Sequence, residues 1–319
     1  MKALYFNTFG GADVLTYSDL PTPTIGTQDY LVKMHYIGLN FADIYRRRGN
    51  YHLEPHTPYI DGYEGVGEIV AIGSGVANNQ AAIGQLILFV DVPLANAEYV
   101  VVPSNHAIFL PPEIKPELAA SIGLQGLTAD FLAHDLGKNQ AGAKVFITGI
   151  SGGVGQILSQ MLIADGIDVY GAASTPQKRQ LALNHGVKAV FPSRQTDWQS
   201  NWTNQFDTVY DGVGVTIPTS LKLIHQRGKV VFFGMAGGQP PKVDLVTLLN
   251  QSKSILTGDL WHFLTSFEIR QQRSHRLFQY FIDHKIKITA PTILPLADGK
   301  KGHELLESGK STGKILFKI

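Results

Sequence analysis

Cysteine is missing altogether from the 319 residues. Its absence excludes disulfides, thiolate nucleophiles and every zinc site that needs a thiolate ligand, and it fits a reducing compartment. An excess of charge of one sign is missing too. The chain has 27 basic and 26 acidic residues, a net charge of +1, so no global field attracts nucleic acid or an anionic membrane. No apolar run approaches the roughly 20 residues of a membrane helix. Met1-Lys2-Ala3-Leu4-Tyr5-Phe6-Asn7 has neither a long apolar core nor a small-residue cleavage site. No secretory leader is expected, and the expected location is the cytoplasm. Internal repeats, low-complexity tracts and long linkers are also lacking. What is present is an ordinary globular composition, 44% hydrophobic and 17% charged, in a chain long enough for two domains.

The texture changes along the chain. Up to about residue 118, short alternating or β-branched segments (30–36, 65–72, 85–90 and 98–102) are separated by prolines and glycines and read as strands. This predicts a β-rich, barrel-like region rather than a helical one. From Glu117 onward helical and extended patterns alternate. Leu118-Ala119-Ala120 opens one helix and 127–136 reads as another. Strands are expected at 145–147, 169–173, 189–191, 208–210 and 229–233, with helices at 154–165, 176–184 and 218–224. Strands and helices taking turns imply a parallel sheet with right-handed crossovers. The end carries an amphipathic helix (267–284), a short β-like stretch, a helical segment at 302–306 and a last strand at 314–319.

The most informative stretch is Thr148-Gly149-Ile150-Ser151-Gly152-Gly153-Val154-Gly155, four glycines in eight residues between a strand and a helix. A helix start offers unpaired N–H groups and a partial positive charge, and a pyrophosphate can use both if no Cβ blocks its approach. Gly149 would permit the turn, Gly152 and Gly153 close backbone approach, and Gly155 close helix–strand packing. The spacing G-x-x-G-G-x-G departs from the usual G-x-G-x-x-G, and glycine-rich strand–helix turns also occur without a ligand.

The next strand bears on which dinucleotide would bind. An NAD site usually places Asp or Glu at its end to bond the ribose 2′-hydroxyl. Here the strand ends in Ser174, followed by Lys178 and Arg179 on the first turn of the next helix. Neutral donors with cations suit a 2′-phosphate, so NADP is favoured over NAD. The alternative is that Lys178 and Arg179 form a solvated helix face. Val230-Val231-Phe232-Phe233, read as the last strand of the sheet, runs into Gly234-Met235-Ala236-Gly237-Gly238, and Asp211-Gly212-Val213-Gly214 ends another strand on the same side. Such exits let the nicotinamide end approach backbone, or serve simply as tight turns.

Taken in order, several segments are similar to the medium-chain dehydrogenase/reductase superfamily, and within it to the zinc-free quinone oxidoreductases that include zeta-crystallin. They are Phe9-Gly10-Gly11-Ala12-Asp13-Val14-Leu15, Gly38-Leu39-Asn40-Phe41-Ala42-Asp43-Ile44-Tyr45-Arg46, Gly62-Tyr63-Glu64-Gly65-Val66-Gly67, Ala97–Pro103, Gly126-Leu127-Thr128-Ala129, the glycine loop and Thr312-Gly313-Lys314. The resemblance implies an α/β fold of two domains. A GroES-like β-rich catalytic domain (1–118, completed by 266–319) would receive an inserted Rossmann NADP-binding domain (119–265), with the active site in the cleft. It also implies a homodimer or homotetramer built through the Rossmann sheet. Zinc-dependent members use Cys, His and Cys at the catalytic metal. Asn40 lies where the first Cys would be and Tyr63 where the His would be, and the four-Cys structural lobe is missing. His52 and His56 are four apart but flank Pro55, so a loop is expected there and no metal site.

Without a Lewis acid, quinones and conjugated enones are the fitting acceptors, because they take a hydride into an extended π-system. By resemblance, Asn40 and Tyr45 contact the nicotinamide–substrate region, Tyr45 donates to the acceptor oxygen, and Asp43 orders the segment. Tyr51 and Gln125 are further candidates for the cleft. Ser151, Gly152, Gly153 and Val154 would face the pyrophosphate, and Ser174 and Lys178 the 2′-phosphate. Phe233, Gly234 and Met235 would lie near the nicotinamide ribose and Asp259 near the carboxamide. Ser193 stands where relatives often have Tyr or His beside the adenosine phosphate. The basic run Arg46-Arg47-Arg48 is expected to be solvated or to steer the cofactor. The expected activity is NADPH-dependent quinone reduction by hydride or one-electron transfer. Reduction of an enone or alkenal double bond, and a non-catalytic NADPH- or RNA-binding role, remain as alternatives.

Overall fold

The computed structural model describes residues 1–51, 57–77 and 81–319. In chain order it begins with β1 (Lys2–Phe6), β2 (Thr16–Asp19), β3 (Asp29–Leu39), a short helix α1 (Phe41–Arg47), β4 (Tyr59–Ile60), β5 (Gly65–Ile72), β6 (Leu86–Phe89), β7 (Tyr99–Pro103) and β8 (Ile108–Phe109). Helix α2 (Pro116–Phe131) follows. Strands and helices then alternate: β9 (Lys144–Ile147), α3 (Gly153–Ala164), β10 (Asp168–Ala173), α4 (Pro176–Asn184), β11 (Ala189–Pro192), β12 (Phe206–Asp211), α5 (Ile217–Leu223), β13 (Ile224–Phe232), α6 (Leu245–Gln251) and β14 (Ser254–Thr257). The chain closes with α7 (Phe267–Ile282), β15 (Thr292–Pro295), α8 (Gly299–Glu307) and β16 (Ile315–Lys318). Among the described residues no helix is long and apolar enough to cross a membrane.

Two compact units emerge. The first comprises residues 1–124, 264–278 and 289–319, the second 125–263 and 279–288. In the first unit β3 is the hub of a seven-stranded sheet ordered β15-β16-β3-β5-β6-β8, with β7 also paired to β3. Side chains of 29–34 alternate outward and inward, so Tyr30, Val32 and Met34 enter the core. An irregularity between Met34 and Tyr36 shifts this alternation, and Ile37 enters the core instead. The far end of β3 then pairs antiparallel with β16, matching Leu39 to Ile315, so the last strand of the chain joins the sheet built on β3.

The second unit is a six-stranded sheet ordered β11-β10-β9-β12-β13-β14, with every pair parallel. Counted within the unit this is 3-2-1-4-5-6, the doubly wound Rossmann order, whose switch point lies between β9 and β12. One side of the sheet packs an aromatic cluster of Phe146, Tyr170, Phe191, Trp198, Trp202 and Phe206.

Three expectations from sequence need correction. The β-rich region contains a helix, α1, started by a capping box between Asn40 and Asp43. The two helical stretches around 118 and 127–136 are one continuous helix, α2, passing into a π-helical turn at Leu132–Gly137. The strand at 230–233 is not the last of its sheet, because β14 pairs beyond it. With only four residues flanked by polar ones, β14 carries too little pattern to stand out.

Candidate active site

In the second unit, every residue expected from sequence to touch the cofactor lies in the glycine turn or just beyond the carboxyl ends of the parallel strands. The turn between β9 and α3 owes its course to two glycines. Gly149 has φ +62°, a conformation that disfavours any side chain. A Cβ on Gly155 would come 2.6 Å from the Gly149 carbonyl oxygen and 2.8 Å from Ile150 backbone, so this glycine lets helix and turn close together. Gly152 starts the helix with extended backbone, and a Cβ there would meet only the Gly149 carbonyl oxygen, at 3.2 Å. Gly153 differs from expectation: a Cβ on it would strike the Gln125 carboxamide, so its bareness accommodates Gln125. The first turn of α3 holds no acidic side chain, and its N–H groups precede the first intrahelical acceptor. Ser151 is buried, and its carbonyl accepts from Gln156 Nε2 at 2.8 Å. A bare helix start without a carboxylate fits a pyrophosphate.

The other strand ends are equally ordered. Asp211, fully buried, accepts from the N–H groups of Val213 (2.9 Å) and Gly214 (3.1 Å) and from the hydroxyls of Thr216 (2.8 Å) and Ser220 (2.6 Å). It thereby fixes the exit loop of β12. That loop is stitched to the exit of β13 by N–H bonds from Ala236 to Gly212 (3.1 Å) and Gly237 to Val213 (2.9 Å). A Cβ on Gly234 would lie 3.0 Å from the Gly212 carbonyl oxygen, so Phe233, Gly234 and Met235 pass close along this neighbour. After β14, Asp259 caps a short 3₁₀ turn, accepting from Trp261 N–H at 3.1 Å.

At the ends of β10 and β11, Ser174 is half-buried and Ser193 exposed, and Ser193 N–H donates to the Ala173 carbonyl at 3.1 Å. Thr175 caps α4 by accepting from Lys178 N–H at 3.2 Å. Partial burial, and then the charge of Arg194, lower the pKa of the Lys178 ammonium.

In the first unit the candidate residues ride on α1. Asn40 N–H donates to Asp43 Oδ2 at 2.8 Å, and Asp43 Oδ1 accepts from Arg46 Nη1 at 2.9 Å. Burial raises the Asp43 pKa, against the pull of Arg46. Asp61 is held well above the carboxylate range, first by burial and then by Asp43. The Arg46 guanidinium lies 3.4 Å above the centre of the Tyr63 ring, a cation–π contact, and both Arg46 and Arg47 are buried rather than solvated. Tyr45 is half-buried, with its ring 6.4 Å from Phe41 and edge-on to Tyr51 at 6.3 Å.

Sequence reasoning assigned no role to the residues that anchor Asn40. Its Nδ2 donates to Glu64 Oε2 (3.0 Å) and to the Gly38 carbonyl (3.1 Å), and its Oδ1 accepts from Lys314 Nζ at 2.7 Å. Lys314 Nζ also donates to Glu64 Oε2 at 2.6 Å, and Glu64 Oε1 accepts from Leu124 N–H at 2.6 Å. Glu64 is 0% exposed and Lys314 3%. A Cβ on Gly38 would collide with Glu64 and reach 2.8 Å from Lys314 Cε, so the glycine makes room for the ion pair. Gly38, Glu64 and Lys314 all lie in segments that carried the family resemblance, which was the available signal. Among the described residues no group of three or more His, Asp or Glu side chains is placed to hold a metal ion. His52 and His56 lie outside the described residues.

Comparison with known proteins gives this geometry its context. Residues 26–112 match the alcohol dehydrogenase GroES-like domain, and residues 153–266 match the family described as zinc-binding dehydrogenase. The quinone oxidoreductase of Pseudomonas aeruginosa is 31% identical over 99% of both chains. Among solved structures, the quinone oxidoreductase of Pseudomonas syringae pv. Tomato is similar at a TM-score of 0.94 and 29% identity, covering 100% of this chain and 99% of its own. The Escherichia coli quinone oxidoreductase complexed with NADPH is similar at a TM-score of 0.92 and 27% identity over the whole of both chains. With both domain models matched in order and no cysteine in the chain, the protein belongs to the quinone oxidoreductases of the zinc-free medium-chain dehydrogenase/reductase group.

Proposed function

We propose that the protein is an NADPH-dependent, zinc-independent quinone reductase. The observation that carries this reading is the C-terminal edge of the Rossmann sheet. There the glycine turn, a strand end without an acid and two glycine-lined exits lie along one side of a parallel sheet. NADPH, when bound, supplies a hydride. The quinone gains that hydride and one proton, becoming a quinol.

The chain's own part is binding, orientation and hydrogen bonding. N–H groups of the Ser151-Gly152-Gly153-Val154 turn bind the pyrophosphate. Ser174 and Lys178 bind the 2′-phosphate, with Ser193 beside them. Phe233, Gly234 and Met235 present backbone to the nicotinamide ribose, and Asp259 lies toward the carboxamide. In the other unit the Tyr45 hydroxyl donates to the acceptor oxygen, where negative charge develops. Phe41 and Tyr51 extend an aromatic face around it that suits a flat acceptor. Asn40 and Asp43 position Tyr45, because their polar atoms bond within the unit itself.

The same reading includes a homodimer or homotetramer in the cytoplasm. The open edge of β14 and three exposed apolar side chains on α6, Leu245, Val246 and Leu249, support association through the Rossmann sheet. Subcellular fractionation checks the location, and recovery from a membrane or secreted fraction would count against it.

The deciding experiment follows nucleotide absorbance with EDTA-treated protein, offering small quinones and conjugated enones in parallel, with NADH as control. Faster quinone turnover with NADPH than with NADH is expected. Turnover of enones alone would replace the reading with double-bond reduction. Bound NADPH without turnover of either class would point to a binding role.

A further inference from the structure

On the reading that Tyr45 donates to the acceptor, the arginine beside it has no role yet. Arg46 is buried on α1, with Nη1 2.9 Å from Asp43 Oδ1. Asp43 is itself held at the helix start by the Asn40 N–H, at 2.8 Å, so the guanidinium has a rigid support. Two tyrosine rings meet it. The centroid of Tyr63 lies 3.4 Å from the guanidinium carbon and that of Tyr51 5.6 Å, both within cation–π range. The Tyr63 ring is buried, whereas Tyr51 is 42% exposed.

The chain reaches Tyr51 by a tight reversal. At the end of α1, Gly49 N–H donates to the Arg46 carbonyl and Asn50 N–H to the Tyr45 carbonyl, both at 2.8 Å. Gly49 has φ +83°, and Tyr51 has φ +67°, a left-handed conformation that a tyrosine adopts only at a cost. A Cβ on Gly49 would come 3.1 Å from the Phe9 ring, so the turn is also confined from that side. The reversal brings the Tyr51 ring back against α1, where it stands edge-on to Tyr45 at 6.3 Å and 89°. Strained backbone at an exposed residue persists when the contacts it permits offset the strain. The Tyr45 ring and the Arg46 cation are such contacts.

We propose that Arg46 is a positioning residue of the acceptor site: it fixes the Tyr51 ring edge-on to Tyr45, so that a flat quinone meets a preformed aromatic surface. A tyrosine exposed to solvent otherwise samples several rotamers, and a ligand that stacks on it must first immobilise it. Arg46 removes that cost in advance. A guanidinium suits the task better than an ammonium, because its planar face stacks on a ring while its edge pairs with a carboxylate. The work is on binding rather than on the reacting atoms, since the Tyr45 hydroxyl remains in place when Arg46 or Tyr51 is changed.

The test is steady-state reduction of 1,4-naphthoquinone at saturating NADPH by wild type, Arg46→Met, Arg46→Lys, Tyr51→Leu, Tyr45→Phe and the double variants at 46 and 51. Arg46→Met should raise the quinone KM by about three- to tenfold and keep kcat within about twofold, and Arg46→Lys should fall between it and wild type. In the Tyr51→Leu background the same changes at Arg46 should move KM by less than about twofold, because Arg46 acts through that ring. An unchanged KM, a fall in kcat as large as the rise in KM, or an equal effect of Arg46 with and without Tyr51 would overturn the assignment. If Arg46→Met strands Asp43 and fails to fold, Arg46→Lys, which keeps a cation beside that carboxylate, decides by the same comparison. Tyr45→Phe reports on the underlying reading: quinone kinetics unchanged in that variant would remove the acceptor site from α1, whatever Arg46 does.

Discussion

Lys314→Met tests whether the buried triad holds the first unit together. Methionine keeps most of the volume and removes the ammonium. Lys314 Nζ makes two charge-assisted bonds, 2.6 Å to Glu64 and 2.7 Å to Asn40. Its loss leaves the Glu64 carboxylate at 0% exposure with two uncharged donors, Asn40 Nδ2 and Leu124 N–H. Breaking a buried ion pair from one side costs about 3–5 kcal/mol, because the remaining charge is uncompensated. Glu64→Gln should cost a similar amount by stranding the ammonium. The double variant should fall short of the sum by about 2 kcal/mol or more, since it strands no charge. A chain of two units need not unfold in one step, so hydrogen exchange of amides in β3, β5 and β16 is a better assay than a single melting curve. At 1.4 kcal/mol per power of ten, Lys314→Met should speed that exchange roughly a hundredfold to several thousandfold. A change under tenfold, or single effects that simply add, would refute the claim that this pair is coupled and structural.

Two further perturbations probe other parts of the molecule. His303 is fully buried and stacks on Phe317, and burial followed by the charge of Arg47 pushes its pKa from 6.5 down to about 3. The unfolded chain therefore takes up a proton below pH 6.5 that the folded chain refuses until about pH 3, so stability falls with acidification across that window by ~1.4 kcal/mol per pH unit. His303→Leu should lack this slope, and taking the difference from wild type cancels the opposite slope of Asp61, whose raised pKa retains a proton in the fold; parallel curves of stability against pH would contradict the assignment. On α6, the helix that precedes the edge strand β14, Leu245 is 76%, Val246 61% and Leu249 77% exposed, so sedimentation should show an oligomer for wild type and a monomer for Leu249→Glu, and an unchanged mass would remove this face from the interface.

Legibility from sequence followed the range of the interactions involved. The strand expected at 30–36, the α/β order of the second unit and the glycine turn are local patterns, and each appears within the element observed there. Helix α1 was hidden because its capping residues, Asn40 and Asp43, are polar groups that equally suit chemistry. Arg46 and Arg47 illustrate the same difficulty: a basic run reads as solvated, yet Arg46 covers Tyr63 and Arg47 is paired 2.9 Å from Glu307. Buried charge has no period, so nothing in a neighbouring window announces it. Its compensation must be close in space but can come from anywhere in the chain. Glu64 and Lys314 are 250 residues apart, Asn40 and Lys314 are 274 apart, and Asp91 meets Arg270 across 179 residues through bonds of 2.8 and 2.6 Å. Because a buried ion left alone is far costlier than an exposed one, each such pair constrains two distant segments at once. The β3–β16 pairing brings Lys314 beside the strand that leads into α1, so the position of Tyr45 depends on a lysine near the other end of the chain.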